Sequence, residues 1–388
     1  FLFNKLITGG FRIGVSQKLM TRALALATGR DEAELAHRLM GDWTAQTTTW
    51  HQLIEAENSA ADASRPYPFY LAYGLEEAPE TLGDPADWHA EWKWDGIRVQ
   101  AAAHGDERRL YSRTGEDISA AFPDIVDRME FSGALDGELI VRRGDEVAPF
   151  GDLQKRLNRK TASKALLSSH PAALRLYDIL IWDDEDLREF PFHERRAHLE
   201  AAVTTLDPLR FDASPLLDFD TWDALAAHRA DPPAAVIEGV MLKRLDSAYL
   251  AGRPRGPWFK WKRDPMIVDA VLLYAQRGHG KRSGFYSDFT FGVWDDDRLV
   301  PVGKAYSGFT DEELKRLDKF VRQNTLERFG PVRSLSPELV VEVAFEGLNR
   351  SKRHKSGVAM RFPRISRIRW DKPANEADHL TTLEAMLP

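Results

Sequence analysis

The segment Glu91-Trp-Lys-Trp-Asp-Gly-Ile-Arg98 sets one lysine between two tryptophans, just ahead of an Asp-Gly pair. A lysine amine attacks well only when neutral, and low local polarity or nearby positive charge lowers its proton affinity. Trp92 and Trp94 are expected to supply the first condition, and Lys260 and Lys262, much later in the chain, the second. The same run also reads as a surface strand of alternating charge, so alone it decides nothing.

Five further segments carry groups suited to a nucleotide. Ser112-Arg113-Thr114-Gly115 puts an arginine in a turn, where it can grip a phosphate. Asp136-Gly137-Glu138 follows an apolar run and is expected to place a carboxylate at a strand end. Tyr177-Asp178-Ile179-Leu180 offers an aromatic face for a base. Ile237-Glu238-Gly239-Val240-Met241 offers a strand-borne carboxylate suited to Mg²⁺. In Trp258-Phe-Lys260-Trp-Lys262 the period of two turns both lysines to one face, a clamp for one phosphate. Each segment also has a plain structural reading, as a solvated charge or a core tyrosine.

The elements that must position these groups follow from pattern. Residues 1–60 read as helices, with Leu19, Arg22, Ala23 and Leu26 at helical spacing. Thr28-Gly-Arg-Asp31 reads as a turn and N-cap before an acidic first turn (Glu32, Glu34). Ala60-Ala-Asp-Ala-Ser64 and Arg65-Pro-Tyr-Pro68 read as a linker entering extended chain. From 88 to 262 the pattern is mixed α/β. Strands are expected at His89–Gln100, Ala134–Arg142, Leu174–Ile181 and Val236–Lys243, with helices at Phe192–Val203 and Thr221–Ala230. From 265 to 372 short β-branched or aromatic runs dominate: Ile267–Ala275, Thr290–Trp294, Leu299–Val302 and Leu339–Phe345. One helix, Asp311–Asn324, interrupts them, which suits a small barrel such as an OB-fold.

The 388 residues fit two or three domains. An apolar fraction of 43% supports ordinary cores, and 29% charged residues make an ionic surface rather than a disordered chain. The absence of cysteine removes disulfides, thiolate zinc sites and thiol nucleophiles. A net charge of -7 argues against a nucleic-acid partner only as an average. Between Ser351 and Lys372 lie eight Lys/Arg and one acid, Asp371, while acids gather at Asp183–Asp186 and Asp295–Asp297. A basic working face on an acidic body still binds phosphate backbones. No run of 18 apolar residues suggests a membrane span, and the opening residues lack the features of a signal peptide. The first residue is not Met, and the chain reads as a fragment or processed product that begins inside a domain.

In this order and spacing, the blocks Lys93-Trp-Asp-Gly-Ile-Arg98, Ser112-Arg-Thr-Gly115, Asp136-Gly-Glu138, Tyr177-Asp178, Glu238-Gly239 and Lys260-Trp-Lys262 resemble the covalent nucleotidyltransferase superfamily. The resemblance runs from about Arg65 to Lys372. Its members are ATP-dependent DNA ligases, RNA ligases and mRNA capping enzymes. A seventh block, Arg369-Trp-Asp-Lys372, preceded by Arg361-Phe-Pro-Arg364, looks like the final motif of cellular and bacterial ATP-dependent DNA ligases. Lys5–Ser16 resembles the end of the helical DNA-binding domain that precedes the core in the larger members, here shortened. The resemblance implies a partial helical domain (1–60), an ATP-grasp-like adenylation domain (61–263) and an OB-fold (264–388).

It also implies roles. Lys93 attacks the α-phosphate of ATP, keeps AMP covalently and passes it to the 5′-phosphate of a DNA nick, which the 3′-hydroxyl then attacks. Glu91 accepts from the adenine 6-amino group, and Tyr177 stacks the ring. Arg98 and Glu138 hold the ribose, Lys260 and Lys262 neutralise the α-phosphate, and Arg113 grips the nick phosphate. Glu238 and Glu138 bind Mg²⁺, for which Mn²⁺ can substitute. Asp371 and Lys372 act in the first step alone, from a second domain that closes on ATP and reopens on DNA. Lys281 and Arg282 in Gly278–Gly284, and Lys352 and Arg353 in Ser351–Ser356, are expected to touch the duplex backbone; a solvated loop is the plain reading of each. The implied partner is nicked duplex DNA, met by a monomer in a bacterial cytoplasm at the nucleoid, in repair, recombination or replication. Two other readings remain open from sequence: an RNA ligase or capping-type enzyme, and a non-catalytic nucleic-acid scaffold.

Overall fold

The structure is a computed structural model that describes residues 15–30, 32–40, 43–55, 65–157, 159, 161–352 and 354–387. The opening segment up to Gly14, Asp31, the linker residues 60–64 and Arg353 lie outside the described residues. The chain divides into two compact units after Arg263.

The first unit begins with helix α1 (Gln17–Thr28). Ser16 caps it by accepting from Leu19 N, and Gly29 ends it with a left-handed φ of 69°. Helix α2 (Glu32–Arg38) follows, with Glu32 and Glu34 in its first turn. The expected helix is present, but its expected face is not the buried one. Leu19 is 55% and Leu26 81% exposed, whereas Leu24 and Ala25 pack on Leu35, Leu53 and Ile54. Arg22 breaks the apolar stripe, and the residues on an adjacent face close the core.

Two sheets build the rest of this unit. Its strands, in order, are β1 (Tyr73–Gly74), β2 (Trp88–Trp94), β3 (Ile97–His104), β4 (Glu107–Ser112), β5 (Gly133–Arg143), β6 (Glu146–Val147), β7 (Ala172–Trp182), β8 (Glu185–Asp186), β9 (Phe211–Ala213), β10 (Leu216–Leu217), β11 (Ile237–Arg244) and β12 (Trp258–Lys262). One sheet runs β1-β12-β11-β2-β10. The other runs β4-β3-β5-β7-β8, with β6 beside β5 and β9 beside β7. The expected single strand His89–Gln100 is in fact two strands in different sheets. The break falls at Asp95-Gly96, where a side chain on Gly96 would meet Leu139 O at 2.5 Å and Glu138 Cγ at 2.8 Å. Only a residue without Cβ lets the chain cross there.

Alternation then sorts the side chains. On β3, β5 and β7, Val99, Ala101, Leu135, Leu139, Leu174 and Leu176 join one apolar cluster. Arg98, Gln100, Asp136, Glu138 and Tyr177 take the opposite face. On β2, β11 and β12, Trp92, Val240 and Leu242 enter a second cluster with Trp222 of helix α4 (Trp222–Ala230), with Trp261 packed against it. Helix α3 (Phe192–Val203) packs on β7 and buries two arginines, Arg195 and Arg196, on its inner face.

The second unit contains β13 (Met266–Arg277), β14 (Tyr286–Asp295), β15 (Arg298–Ala305), β16 (Thr325–Phe329), β17 (Val332–Leu335), β18 (Val340–Phe345), β19 (Gly347–Arg350), β20 (Val358–Arg361) and β21 (Arg364–Arg369). Long β13 pairs with β14 on one edge, and with both β18 and β17 on the other. The sheet gathers Val268, Leu272, Phe289, Phe291, Val343 and Phe345 into one core with Leu317 and Val321 of helix α5 (Asp311–Gln323). A reciprocal box between Thr310 and Glu313 caps α5. A second, short helix (Leu380–Ala385), which the sequence pattern does not mark, adds Leu383 to the same core. This β-rich unit is the small β domain that the sequence pattern predicts, with one helix more than expected.

Candidate active site

Register brings the site together. Gly239 of β11 lies between Lys93 of β2 and Lys262 of β12; Met241 lies between Glu91 and Lys260. Directly paired residues share a face, so Lys93, Lys262, Glu91 and Lys260 line one side of the sheet. Gly239 leaves the space between Lys93 and Lys262 empty of side chain. Its φ is 145°, and a Cβ would lie 2.3 Å from Trp261 O. A register shift between Ile237 and Gly239 frees Glu238 from the alternation. Its Oε2 accepts a short hydrogen bond from Lys93 Nζ, both side chains being partly buried.

The tryptophans flanking Lys93 do not surround its amine. Trp92 faces the opposite cluster, edge-on to His228 at 6.2 Å, and Trp94 carries the Arg175 guanidinium 4.2 Å from its ring. Alternation along β2 makes this unavoidable. Glu238 touches that amine, and a group of cations lies around the neighbouring Lys260. Burial lowers the proton affinity of Lys260, and the charges of Lys262, Arg253, Lys93 and Arg113 lower it further, in that order. Five cations therefore converge, the arrangement a polyphosphate or phosphodiester requires. Arg113 stands exposed in the turn closed by Gly115 N donating to Ser112 O at 2.8 Å.

Sequence reasoning missed Arg253. Its loop is held by Leu71 N donating to Gly252 O at 2.6 Å and Gly252 N to Phe69 O at 3.0 Å. This anchors it beside β1, which pairs Gly74 with Lys260. Nothing in a Gly-Arg-Pro-Arg-Gly run marks one arginine over the other, so only the fold could find it.

Facing the lysines, the other sheet supplies carboxylates. Asp136 and Glu138 lie in the interior of β5, not at a strand end as expected, because the strand runs on to Arg143. Gly137 between them allows β7 to approach: a Cβ would meet Arg175 O at 2.8 Å. Burial pushes the Glu138 carboxyl up to about 8, opposed by Lys93 and Arg98 and assisted by the charges of Glu238 and Asp136. Asp136 is buried and accepts from Arg98 Nε at 3.1 Å, Arg98 Nη2 at 2.7 Å and Tyr249 OH at 2.6 Å. Arg98 also donates to Tyr70 O and lies 5.6 Å from the Tyr177 ring centroid. It is thus fixed by three protein acceptors, and Asp136 is its buried counter-charge. Tyr177, partly buried on β7, presents its ring beside this network.

Glu91 is 2% exposed and ion-paired to Lys243, also 2% exposed, at 2.7 Å. Lys243 was missed too, although Gly239, Met241 and Lys243 share one parity on β11. Asp178 is consumed by structure, in a buried bidentate pair with Arg195 at 2.8 and 3.0 Å.

In the second unit, Lys372 Nζ donates to Asp269 Oδ2 at 2.7 Å, as does Arg369 Nη1 at 3.2 Å. Arg369 also holds both oxygens of Asp371 and brings its carboxyl down to about 2. Arg282 donates to Tyr306 O at 3.2 Å and lies over Phe309. The side chain of Lys281 lies outside the described atoms, and Lys352 is exposed in the β19–β20 turn. Among the described residues no group of three or more His, Cys, Asp or Glu could hold a metal, and no helix is long and apolar enough to cross a membrane.

Comparison with known proteins gives this geometry its family. Residues 70–262 match the ATP dependent DNA ligase domain, and residues 282–372 match the ATP dependent DNA ligase C terminal region. A probable DNA ligase of Koribacter versatilis is 36% identical over 98% of this chain and 70% of its own length. A probable DNA ligase of Streptomyces avermitilis is 34% identical over 99% and 76%. One from Opitutus terrae is 34% identical over 97% of this chain, which spans only 44% of that relative. Among solved structures, a chain described as "Pmar-Lig_PreS3" has a TM-score of 0.65 at 19% identity, covering 95% of this chain and 75% of the other. A Lig E DNA ligase structure has a TM-score of 0.56 at 18% identity, covering 78% and 100%. The fold is accordingly a nucleotidyltransferase domain followed by an OB-fold. With lysine, carboxylate and cation cluster on one sheet face and both family regions in sequence, the chain belongs to the ATP-dependent DNA ligases, enzymes that form phosphodiester bonds.

Proposed function

We propose that this chain seals 5′-phosphate/3′-hydroxyl nicks in duplex DNA through AMP carried on Lys93. The observation that carries the reading is Lys93 held by Glu238 on a sheet face shared with Lys260 and Lys262. In the first step the Lys93 amine, having given up a proton, forms a bond to the α-phosphorus of ATP. The bond to the bridging oxygen breaks, and pyrophosphate leaves. Glu238 is the acceptor already in contact with that amine. In the second step the 5′-phosphate of the nick displaces Lys93 from the AMP phosphorus. In the third the 3′-hydroxyl loses its proton, attacks the activated 5′-phosphorus and releases AMP. Each is an in-line displacement, so the chain contributes positioning and charge neutralisation.

Lys260 and Lys262 neutralise the α-phosphate, with Arg113 on the nick phosphate. Glu91 accepts from the adenine 6-amino group, Tyr177 stacks the ring, and Arg98 with Glu138 serves the ribose. Asp371 and Lys372 assist the departure of pyrophosphate. Lys281, Arg282, Lys352 and Arg353 contact the duplex backbone. Glu138 and Glu238 fit a hard cation such as Mg²⁺. Two hard oxygen donors whose charges oppose one another, beside a site for phosphate oxygens, suit an ion that keeps several waters. Bound there, Mg²⁺ would neutralise phosphate charge. The chain acts as a monomer in a bacterial cytoplasm, at the nucleoid, in repair, recombination or replication.

Mass spectrometry after incubation with ATP and Mg²⁺ tests the reading. One AMP is expected on the peptide containing Lys93, and none on Lys93→Ala. Sealing of a nicked DNA duplex in preference to a nicked RNA duplex is expected in the same preparation. Absence of the adduct, or its transfer only to RNA, would overturn the proposal.

A further inference from the structure

Lys243 is a buried charge beside the candidate site that the steps above leave without a task. It projects from β11 into the space between the two sheets and is 2% exposed. Its Nζ lies 2.7 Å from Glu91 Oε1 and donates to Tyr177 O at 2.8 Å. The ring centroids of Tyr177, Phe192 and Trp258 lie 4.6–4.7 Å from it. The other charged or titratable groups facing it are His89 on β2, Asp178 on β7 and Arg196 on α3. Asp178 is already held by Arg195. Burial pushes the Lys243 ammonium down, and Glu91 is the first charge that opposes this. A buried ammonium among three rings is costly to keep, and this one reaches two groups at once: the edge carboxylate and the backbone of the stacking tyrosine.

We propose that Lys243 is a positioning residue for base selection, fixing Glu91 as a pure hydrogen-bond acceptor and holding the Tyr177 shelf beside it. A 6-amino purine presents a donor, whereas a 6-oxo purine presents an acceptor. A carboxylate without a proton pairs only with the donor; a carboxylic acid pairs with either. The ammonium at 2.7 Å engages Oε1 and leaves Oε2 for the base. Sites that pair a substrate donor reject analogues lacking it by orders of magnitude. The inference rests on the reading of Glu91 and Tyr177 as the base-binding pair.

The test is single-turnover formation of the lysyl-nucleotide from ATP and from inosine triphosphate, which carries a 6-oxo group. The wild type, Glu91→Gln, Lys243→Met, Lys243→Arg and the double variant Glu91→Gln/Lys243→Met are compared. The wild type should favour ATP. Lys243→Met should lower the ATP-to-inosine ratio tenfold or more, and Lys243→Arg should restore part of it. A merely structural lysine would slow both nucleotides alike and leave the ratio unmoved, which would overturn the proposal. If Glu91→Gln keeps the wild-type ratio, the reading of Glu91 fails. If Glu91→Gln collapses the ratio while Lys243→Met preserves it, that reading stands and the role of Lys243 is overturned. Should Lys243→Met not fold, the double variant, which removes both buried charges, decides. Its ratio should equal that of Glu91→Gln alone, and a further fall would show that Lys243 acts independently of Glu91.

Discussion

Glu138 carries the cost of its burial in its own ionisation. Its carboxyl keeps a proton up to about pH 8 in the folded chain, against an ordinary value of 4.5 when unfolded. Between these values the native state binds the extra proton, so stability falls as pH climbs through the window. Glu138→Gln removes that dependence. The variant should therefore gain melting temperature over the wild type as pH rises from 5 to 8, while losing adenylylation. Scanning calorimetry across that range checks it, and parallel melting curves would refute it. Mg²⁺ should shift wild-type stability upward at pH 8 and leave the variant less changed. Arg253 belongs to the same scale. Its charge reaches Lys260 from a loop that the chain pins to β1. A hydrogen bond from Arg253 to a phosphate bound among these cations would be worth about 1.5–3 kcal/mol. Arg253→Gln should thus slow AMP transfer from ATP by roughly ten- to a hundredfold. A rate within twofold of wild type would remove Arg253 from the anion site.

Among the elements, β11 shows what pattern could and could not disclose. Its existence and span were legible, as were α3, which starts and ends at the expected Phe192 and Val203, and the β-rich second unit. The two lysines of β12 face one side as their period of two requires. The register shift that delivers Glu238 to Lys93 was not legible, because a bulge depends on what the partner strands do. The division of His89–Gln100 between two sheets was hidden for the same reason: Gly96 marks a crossing only once Glu138 and Leu139 are known to press on it. Nothing in the sequence marks Lys243 and Arg195 as buried, yet they are among the most buried side chains, because their carboxylate partners come from other strands. Gly239→Ala should cost about 2–5 kcal/mol, from a φ that only glycine adopts readily and a clash with Trp261 O. Both melting temperature and adenylylation should fall, since the bulge supports Glu238. Arg195→Met should destabilise the fold by about 3–5 kcal/mol, because it strands Asp178 without its counter-charge. Denaturant titration checks this, with Arg195→Met/Asp178→Leu recovering part of the loss.

For the whole molecule, charge is divided between the two units. The unit from Asp264 onward carries 20 Lys/Arg against 18 Asp/Glu, a net of +2, so the first unit, with 33 against 42, carries -9 of the chain's net -7. On the proposed function, duplex binding through the second unit would depend on local clusters rather than on overall charge. Reversal of Lys281 and Arg282 to Glu should weaken binding to nicked DNA and flatten the slope of log K against log salt by about 0.9 for each phosphate that is no longer neutralised. An unchanged slope would assign those residues to a solvated turn. The chain's path also ties Lys93 to the rest of the candidate site. Between Lys93 in one sheet and Arg98 in the other stand only the last residue of β2, the Asp95-Gly96 crossing and Ile97. One added residue at the crossing would invert every side chain of β3, driving Arg98 and Gln100 into the apolar cluster and turning Val99 and Ala101 onto the face of Asp136 and Glu138. The number of residues between lysine and arginine is therefore as strict a requirement as their identities, and an insertion there would disarm the enzyme while leaving every residue of the candidate site in the sequence.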